Sequence, residues 1–132
     1  MTTAMTEGFD RPLTQGERTA LRARAAECPH RPTLAVVCLG VLPSWAGEDC
    51  AQCGIYCERY AIPLGMGAAD LRELAEGLSL RGDLDGVLLW PDLPAGWDGQ
   101  ELSAAVSPAK RVSAPTWAGT LARAIARAEE RE

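Results

Sequence analysis

An α/β fold, three layers deep with a small and mostly parallel sheet between helices, follows from three observations. The run Thr33 to Leu39, TLAVVCL, is apolar without alternation, as in a central parallel strand buried on both faces. A second apolar strand, Val87 to Leu89, enters after Asp85-Gly86 and must stop at Trp90-Pro91-Asp92-Leu93-Pro94, where two prolines withhold backbone donors and fix φ. Around these strands lie segments with apolar residues three to four apart, giving the order α-β-α-β-α-β-α-(β)-α. A length of 132 residues accommodates one such domain, over 13–132, behind a loose arm at 1–12.

Thr14 and Glu17 have capping-box spacing, and Ala20, Leu21, Ala25 and Cys28 continue as a helical stripe that Pro29 and Pro32 end. After the first strand, Pro43-Ser44 opens a segment expected to be helical as far as Tyr60, with Trp45, Asp49, Gln52, Tyr56 and Arg59 or Tyr60 on one side, although Gly47 and Gly54 weaken it. Ala61 to Leu64 is a candidate short strand. Asp70 starts a helix through Leu71, Leu74, Leu78 and Leu80, which Gly82-Asp83 breaks. Gln100 to Val106 is a short helix ended by Pro108, and Lys110 to Val112 a candidate edge strand. Thr116 caps a last helix with Ala118, Leu121, Ala122 and Ile125 on one face.

The net charge of −5 argues against a nucleic-acid partner, which needs a basic stripe. The arginines at 18, 22 and 24 and at 123, 127 and 131 read as solvated helix faces. No apolar run approaches membrane-spanning length and no secretory leader is evident, so a cytoplasmic protein without a membrane partner is expected. Five cysteines in a reducing compartment are not expected to form a disulfide framework.

The stretch Leu84 to Asp98, LDGVLLWPDLPAGWD, resembles the signature D-G-I-L-V-Q-L-P-L-P of the methylenetetrahydrofolate dehydrogenase/cyclohydrolase family, with Asp85, Gly86, Leu88, Leu93, Pro94 and Asp98 in place. Pro32 to Gly40 is similar to the family's P-x-L-A-V-V-x-V-G, with Pro43 and Ser44 following where members have Pro-Ala-Ser. Val106 to Ser113 is similar to I-x-P-x-K-D-V-D-G with both acidic positions changed. The resemblance implies the fold of that family's N-terminal, folate-binding domain, without the Rossmann domain that holds NAD(P). No G-x-G-x-x-G follows a strand, so no NAD(P) cofactor is expected on this chain.

In that family a tyrosine and a lysine on the first crossover helix, a glutamine after the signature strand and a downstream aspartate line the folate site. Carried over position by position, the resemblance puts Glu48 at the tyrosine, Gln52 at the lysine, Trp90 at the glutamine and Ser113 at the aspartate. Gln52 cannot titrate, so it cannot take the lysine's part in proton transfer, and Trp90 offers one donor and no acceptor. The expected function is therefore a pseudoenzyme: a stand-alone, non-catalytic relic acting in binding, regulation or as an accessory protein in one-carbon metabolism. Its vestigial pocket would comprise Glu48, Gln52, Trp90, Asp92, Pro94 and Ser113, open to a pterin or folate-like ligand. The alternative is a cyclohydrolase-like enzyme with a remodelled pocket using Glu48, Asp92 or Ser113.

Cys50, Cys53 and Cys57, at i, i+3 and i+7, would form one sulfur stripe on a helix, read either as small apolar packing residues or as a metal site. His30 reads as a plain loop residue, and Asp83 and Asp85 as turn residues. Asp98 is a candidate helix N-cap. Trp45 and Trp117 begin helices and should pack on the sheet, while Trp90 and Trp97 either close the old cleft or form a patch for a protein partner or a second copy.

Overall fold

The structure is a computed structural model that describes residues 11–38, 42–62, 65–90 and 99–131. Helix α1 (Gln15–Ala26) starts at the expected capping box: Glu17 N–H donates to Thr14 Oγ1 at 3.1 Å, and Glu17 Oε1 accepts from Thr14 N–H at 2.8 Å. Strand β1 (Thr33–Cys38) follows and pairs in parallel on both sides, with β2 (Tyr56–Ala61) and with β3 (Gly86–Leu89), so the sheet order is β2-β1-β3. The uninterrupted apolar character of β1 has its cause here. Leu34, Val36 and Cys38 face one core, Ala35 and Val37 the other.

Helix α2 (Ser44–Gln52) ends earlier than its apolar spacing suggested. Gly54 has φ +78°, its N–H donates to Ala51 O at 3.2 Å, and Ile55 N–H donates to Cys50 O at 2.8 Å. This is a Schellman stop, for which a glycine in left-handed conformation is the usual requirement. Tyr56 to Ala61 are therefore strand and not helix; of the short strand expected over 61–64, Ala61 is the last residue of β2 and residues 63–64 lie outside the described residues. Helix α3 (Ala68–Ser79) buries Leu71, Ala75 and Leu78, with Asp70 accepting from Gly67 N–H at 3.3 Å, but Leu80 caps its end and is 87% exposed.

Helix α4 (Gly99–Ala104) and a 3-10 turn at Pro108–Lys110 lead to a single parallel bridge, Arg111 to Val87, in place of the expected edge strand. Thr116 accepts from Gly119 N–H at 3.0 Å and caps α5 (Trp117–Glu130). Helices α1, α2 and α5 supply one core layer around Leu21, Ala46, Cys50, Trp117, Leu121 and Ile125, and α3 and α4 supply the other around Leu71, Ala75, Leu78 and Leu102. The result is the expected three-layer α/β architecture. The arm over 1–10, Asp92, Pro94, Trp97 and Asp98 lie outside the described residues.

Candidate functional site

The carboxyl end of the sheet is where open α/β folds usually take ligands. Trp90 stands there, directly after β3. Its N–H donates to Val37 O at 2.8 Å and carries the ladder one residue further. Its ring is 6% exposed and packs against Trp117 (centroids 5.5 Å apart, planes at 74°) and Trp45 (6.0 Å, 58°), while Trp45 and Trp117 are 6.3 Å apart at 78°. These tilted and edge-on pairings are the preferred aromatic geometries. Trp45 and Trp117 open α2 and α5, as expected, and Trp90 completes a three-ring cluster between them.

Beneath that cluster lies Asp49, 2% exposed. Its carboxylate accepts from Leu13 N–H at 2.9 Å, from Trp117 Nε1–H at 3.1 Å and from Arg18 at 3.3 Å. A buried carboxylate needs such partners, and here they tie the start of α1, α2 and α5 together. The sequence placed Asp49 on the Trp45 side of its helix but gave it no role. Arg18, expected on a solvated face, is turned inward to it.

The other described positions carried over from the family, Glu48, Gln52 and Ser113, are exposed, unlike Trp90. Glu48 is exposed and lines a groove of about 400 Å³ between α2 and the outer flank of β2, together with Arg31, Tyr56, Cys57 and Arg59. Gln52 is exposed at the last residue of α2 and lines a separate depression with Gln15, Arg18, Thr19 and Arg22. Ser113 is exposed, and its carbonyl accepts from Arg123. Asp92 and Pro94 are not among the described residues.

Nor do the three cysteines form a helical stripe. Cys50 is on α2, Cys53 follows it, and Cys57 is on β2, because Gly54 turns the chain between them. Cys50 and Cys53 are buried. Burial, with Asp49 nearby, pushes the Cys53 thiol up to about 11. Among the described residues no group of three His, Cys, Asp or Glu side chains is placed to hold a metal ion.

A second polar centre, missed by the sequence reading, sits at the amino end of the sheet. Asp85 is 3% exposed and accepts from Thr33 N–H at 2.8 Å, from Arg131 Nε at 2.7 Å and from His30 Nε2 at 3.2 Å. Burial raises its pKa, but Arg131, the Thr33 amide and His30 together outweigh burial and hold the carboxyl below the usual carboxylate range. His30 is thus not a plain loop residue, Asp85 is more than a turn residue, and Arg131 is not on a solvated face. Asp83 is exposed and pairs with Arg81 at 2.6 Å.

Next to Asp85, Lys110 Nζ donates to Arg81 O at 2.7 Å and to Leu84 O, and burial lowers its pKa. A methyl on Gly86 would lie 2.6 Å from Val112 Cγ1. The shared residues Asp85, Gly86, Lys110 and Val112 therefore hold this end of the scaffold, Gly86 against Val112 and Lys110 on the carbonyls before Asp85.

A three-stranded parallel sheet with helices on both faces defines a small α/β domain of the doubly wound type. No family model matches the chain. Curated proteins named bifunctional protein FolD do: that of Koribacter versatilis is 36% identical over 104 residues, 72% of this chain and 34% of the relative. That of Desulfovibrio desulfuricans is 34% identical over 100 residues, 71% and 35%.

Solved structures give the same fold. The FolD methylenetetrahydrofolate dehydrogenase/cyclohydrolase of Campylobacter jejuni superposes with a TM-score of 0.66 at 19% identity, over 74% of this chain and 38% of that one. The 5,10-methylenetetrahydrofolate dehydrogenase of the silkworm Bombyx mori gives 0.68 at 16%, over 76% and 38%. The chain is a relative of the FolD methylenetetrahydrofolate dehydrogenase/cyclohydrolase family, corresponding to its N-terminal domain, and spans about a third of the length of the curated relatives it matches.

Proposed function

We propose that this domain is a non-catalytic derivative of the folate-binding domain of FolD proteins, serving as a binding or accessory module in one-carbon metabolism. One observation carries the reading. The residues shared with the family pattern assemble the amino end of the sheet around Asp85 and Gly86, whereas the positions implied to do the chemistry hold different residues, Glu48, Gln52, Trp90 and Ser113. Gln52, at the lysine position, has an amide that cannot exchange a proton and points to a depression beside Arg18 and Arg22. Trp90, at the glutamine position, spends its ring on Trp45 and Trp117. A pterin approaching the carboxyl end of β3 would find no amide at this position, because Trp90 is buried against Trp45 and Trp117.

The test is to follow hydrolysis of 5,10-methenyltetrahydrofolate with the purified protein while titrating tryptophan fluorescence. Hydrolysis at the buffer rate is expected. Saturable quenching at micromolar ligand would identify the retained activity as folate binding, and a flat titration would direct it to protein partners. Hydrolysis above the buffer rate that disappears in Glu48→Gln would sink the proposal in favour of a remodelled enzyme.

A further inference from the structure

We propose that the outer edge of β2, with the groove beside it, takes an extended acidic segment of a partner protein as an added strand. Strand β2 ends the sheet, and its register against β1 runs unbroken from Tyr56 to Ala61. Tyr56 N–H donates to Pro32 O at 2.8 Å and Ile62 N–H to Cys38 O at 2.7 Å. Alternate residues of a parallel strand bond to the same neighbour, so Glu58 and Tyr60 also turn their backbone groups to β1. The N–H and C=O groups of Cys57, Arg59 and Ala61 therefore point away from the sheet, and among the described residues no strand covers them. Natural edges are commonly blunted by a bulge, a proline or a lysine. Tyr56 to Ala61 has none of these.

Charge decides what fits there. The groove of about 400 Å³ between α2 and this flank of β2 is lined by both Arg31 and Arg59. Arg31 lies at the amino end of β2, its guanidinium 5.8 Å from the centre of the Tyr56 ring, and Arg59 lies midway along the strand. Neither arginine has a carboxylate within ion-pair distance among the described residues. Gly47 leaves α2 open beside Arg59, since a methyl there would sit 3.8 Å from Arg59 Nη1. Two arginines against Glu48 make the lining net positive on a chain whose net charge is −5. Glu58 does not offset them, because Arg81 already holds its carboxylate at 2.7 and 2.9 Å.

An added strand takes its main-chain hydrogen bonds from Cys57, Arg59 and Ala61 and its specificity from the side chains it lays over the groove. Every second side chain falls on that face, about 7 Å from the next. Carboxylates at two such positions meet Arg59 and Arg31, which selects an acidic segment. A second copy of this chain is a poorer occupant, because it brings another Arg59 to the same edge. The surface lies away from Trp90, and the inference stands whether or not hydrolysis has been lost.

The experiment titrates the full chain by calorimetry at low salt with a short capped peptide that alternates glutamate and valine, and with the same peptide carrying lysine for glutamate. Saturable binding of the glutamate peptide is expected, at least about tenfold tighter than that of the lysine peptide and weaker as salt is raised. Arg59→Glu should reverse the preference between the two peptides, which damage to the fold would not do. Ala61→Pro removes an outward N–H and spares the β1 ladder, so it should weaken glutamate-peptide binding at least about tenfold with an unchanged circular dichroism spectrum. Absence of binding at millimolar peptide overturns the proposal, as does equal affinity for the two peptides or an undiminished affinity in Ala61→Pro. Glutarate binding as tightly as the peptide would assign the groove to small anions and overturn it. So would a chain that sediments as a dimer and becomes monomeric in Ala61→Pro, which gives the edge to a second copy.

Discussion

Replacing Gly86 by alanine puts a methyl 2.6 Å from Val112 Cγ1, 3.0 Å from Val112 Cγ2 and 3.3 Å from Leu34 Cδ1. The first distance is shorter than side-chain carbons tolerate, and all three residues are buried, so neither neighbour can retreat into solvent. Overpacking of this kind costs about 2 kcal/mol. With a urea slope of about 1.5 kcal/mol/M, the unfolding midpoint should fall by about 1.3 M at an unchanged slope. Val112→Ala alone removes two buried methyls and should cost about 2 kcal/mol as well. The diagnostic is the double variant. Because Val112 supplies both of the nearest atoms, Gly86→Ala in the Val112→Ala background should add little, giving a coupling of about −2 kcal/mol between the sites. Strictly additive losses in urea titrations of the three variants would refute the packing account of this Asp-Gly pair.

Four further outcomes are expected. Asp85→Asn should lower stability by about 3 kcal/mol at neutral pH, because it breaks a buried ion pair with Arg131. The folded-state pKa of Asp85 is depressed, so its contribution is present above the unfolded carboxylate value of about 3.9 and is lost as pH falls through the lower folded value. Acid titrations monitored by circular dichroism should accordingly show a shallower loss below about pH 4 in the variant than in the parent. Trp90→Gln should cost about 3 kcal/mol through the broken ring cluster, measured by thermal unfolding, without raising methenyltetrahydrofolate hydrolysis. Gln52→Lys should likewise leave hydrolysis at the buffer rate, since that position faces Arg18 and Arg22, and a measurable gain would argue that the depression is a working pocket. Asp49→Ala should shift the emission of Trp117 to longer wavelength and cost about 2 kcal/mol, because Leu13 N–H and Trp117 Nε1–H lose their acceptor.

Much of the sheet was legible in the sequence because β1 and β3 are short apolar runs whose ends are marked by Thr33, Asp85-Gly86 and the prolines after Trp90. The boundary between α2 and β2 was not. By spacing alone Gly54 is a weak point inside a helix, whereas its positive φ makes it the stop, and the three-to-four spacing of Cys50, Cys53 and Cys57 imitates a stripe across that stop. The two buried carboxylates were invisible for another reason. Asp49 finds partners 36 and 68 residues away, and Asp85 finds His30 and Arg131 at 55 and 46 residues, separations at which local pattern carries no information. The substitutions at the family's site positions were readable directly, since they are identities and need no structure.

The carboxylate of Asp85, in the middle of the domain's sequence, gathers groups from near its front and from its far end. A ribosome making this protein releases His30 and Thr33 long before Arg131, so the nascent chain must hold that acid with its strongest counter-ion missing. Until Arg131 has emerged, that carboxylate has only the Thr33 amide and His30 as protein partners among these three. Closure of the amino end of the sheet thereby waits for the residue that follows α5.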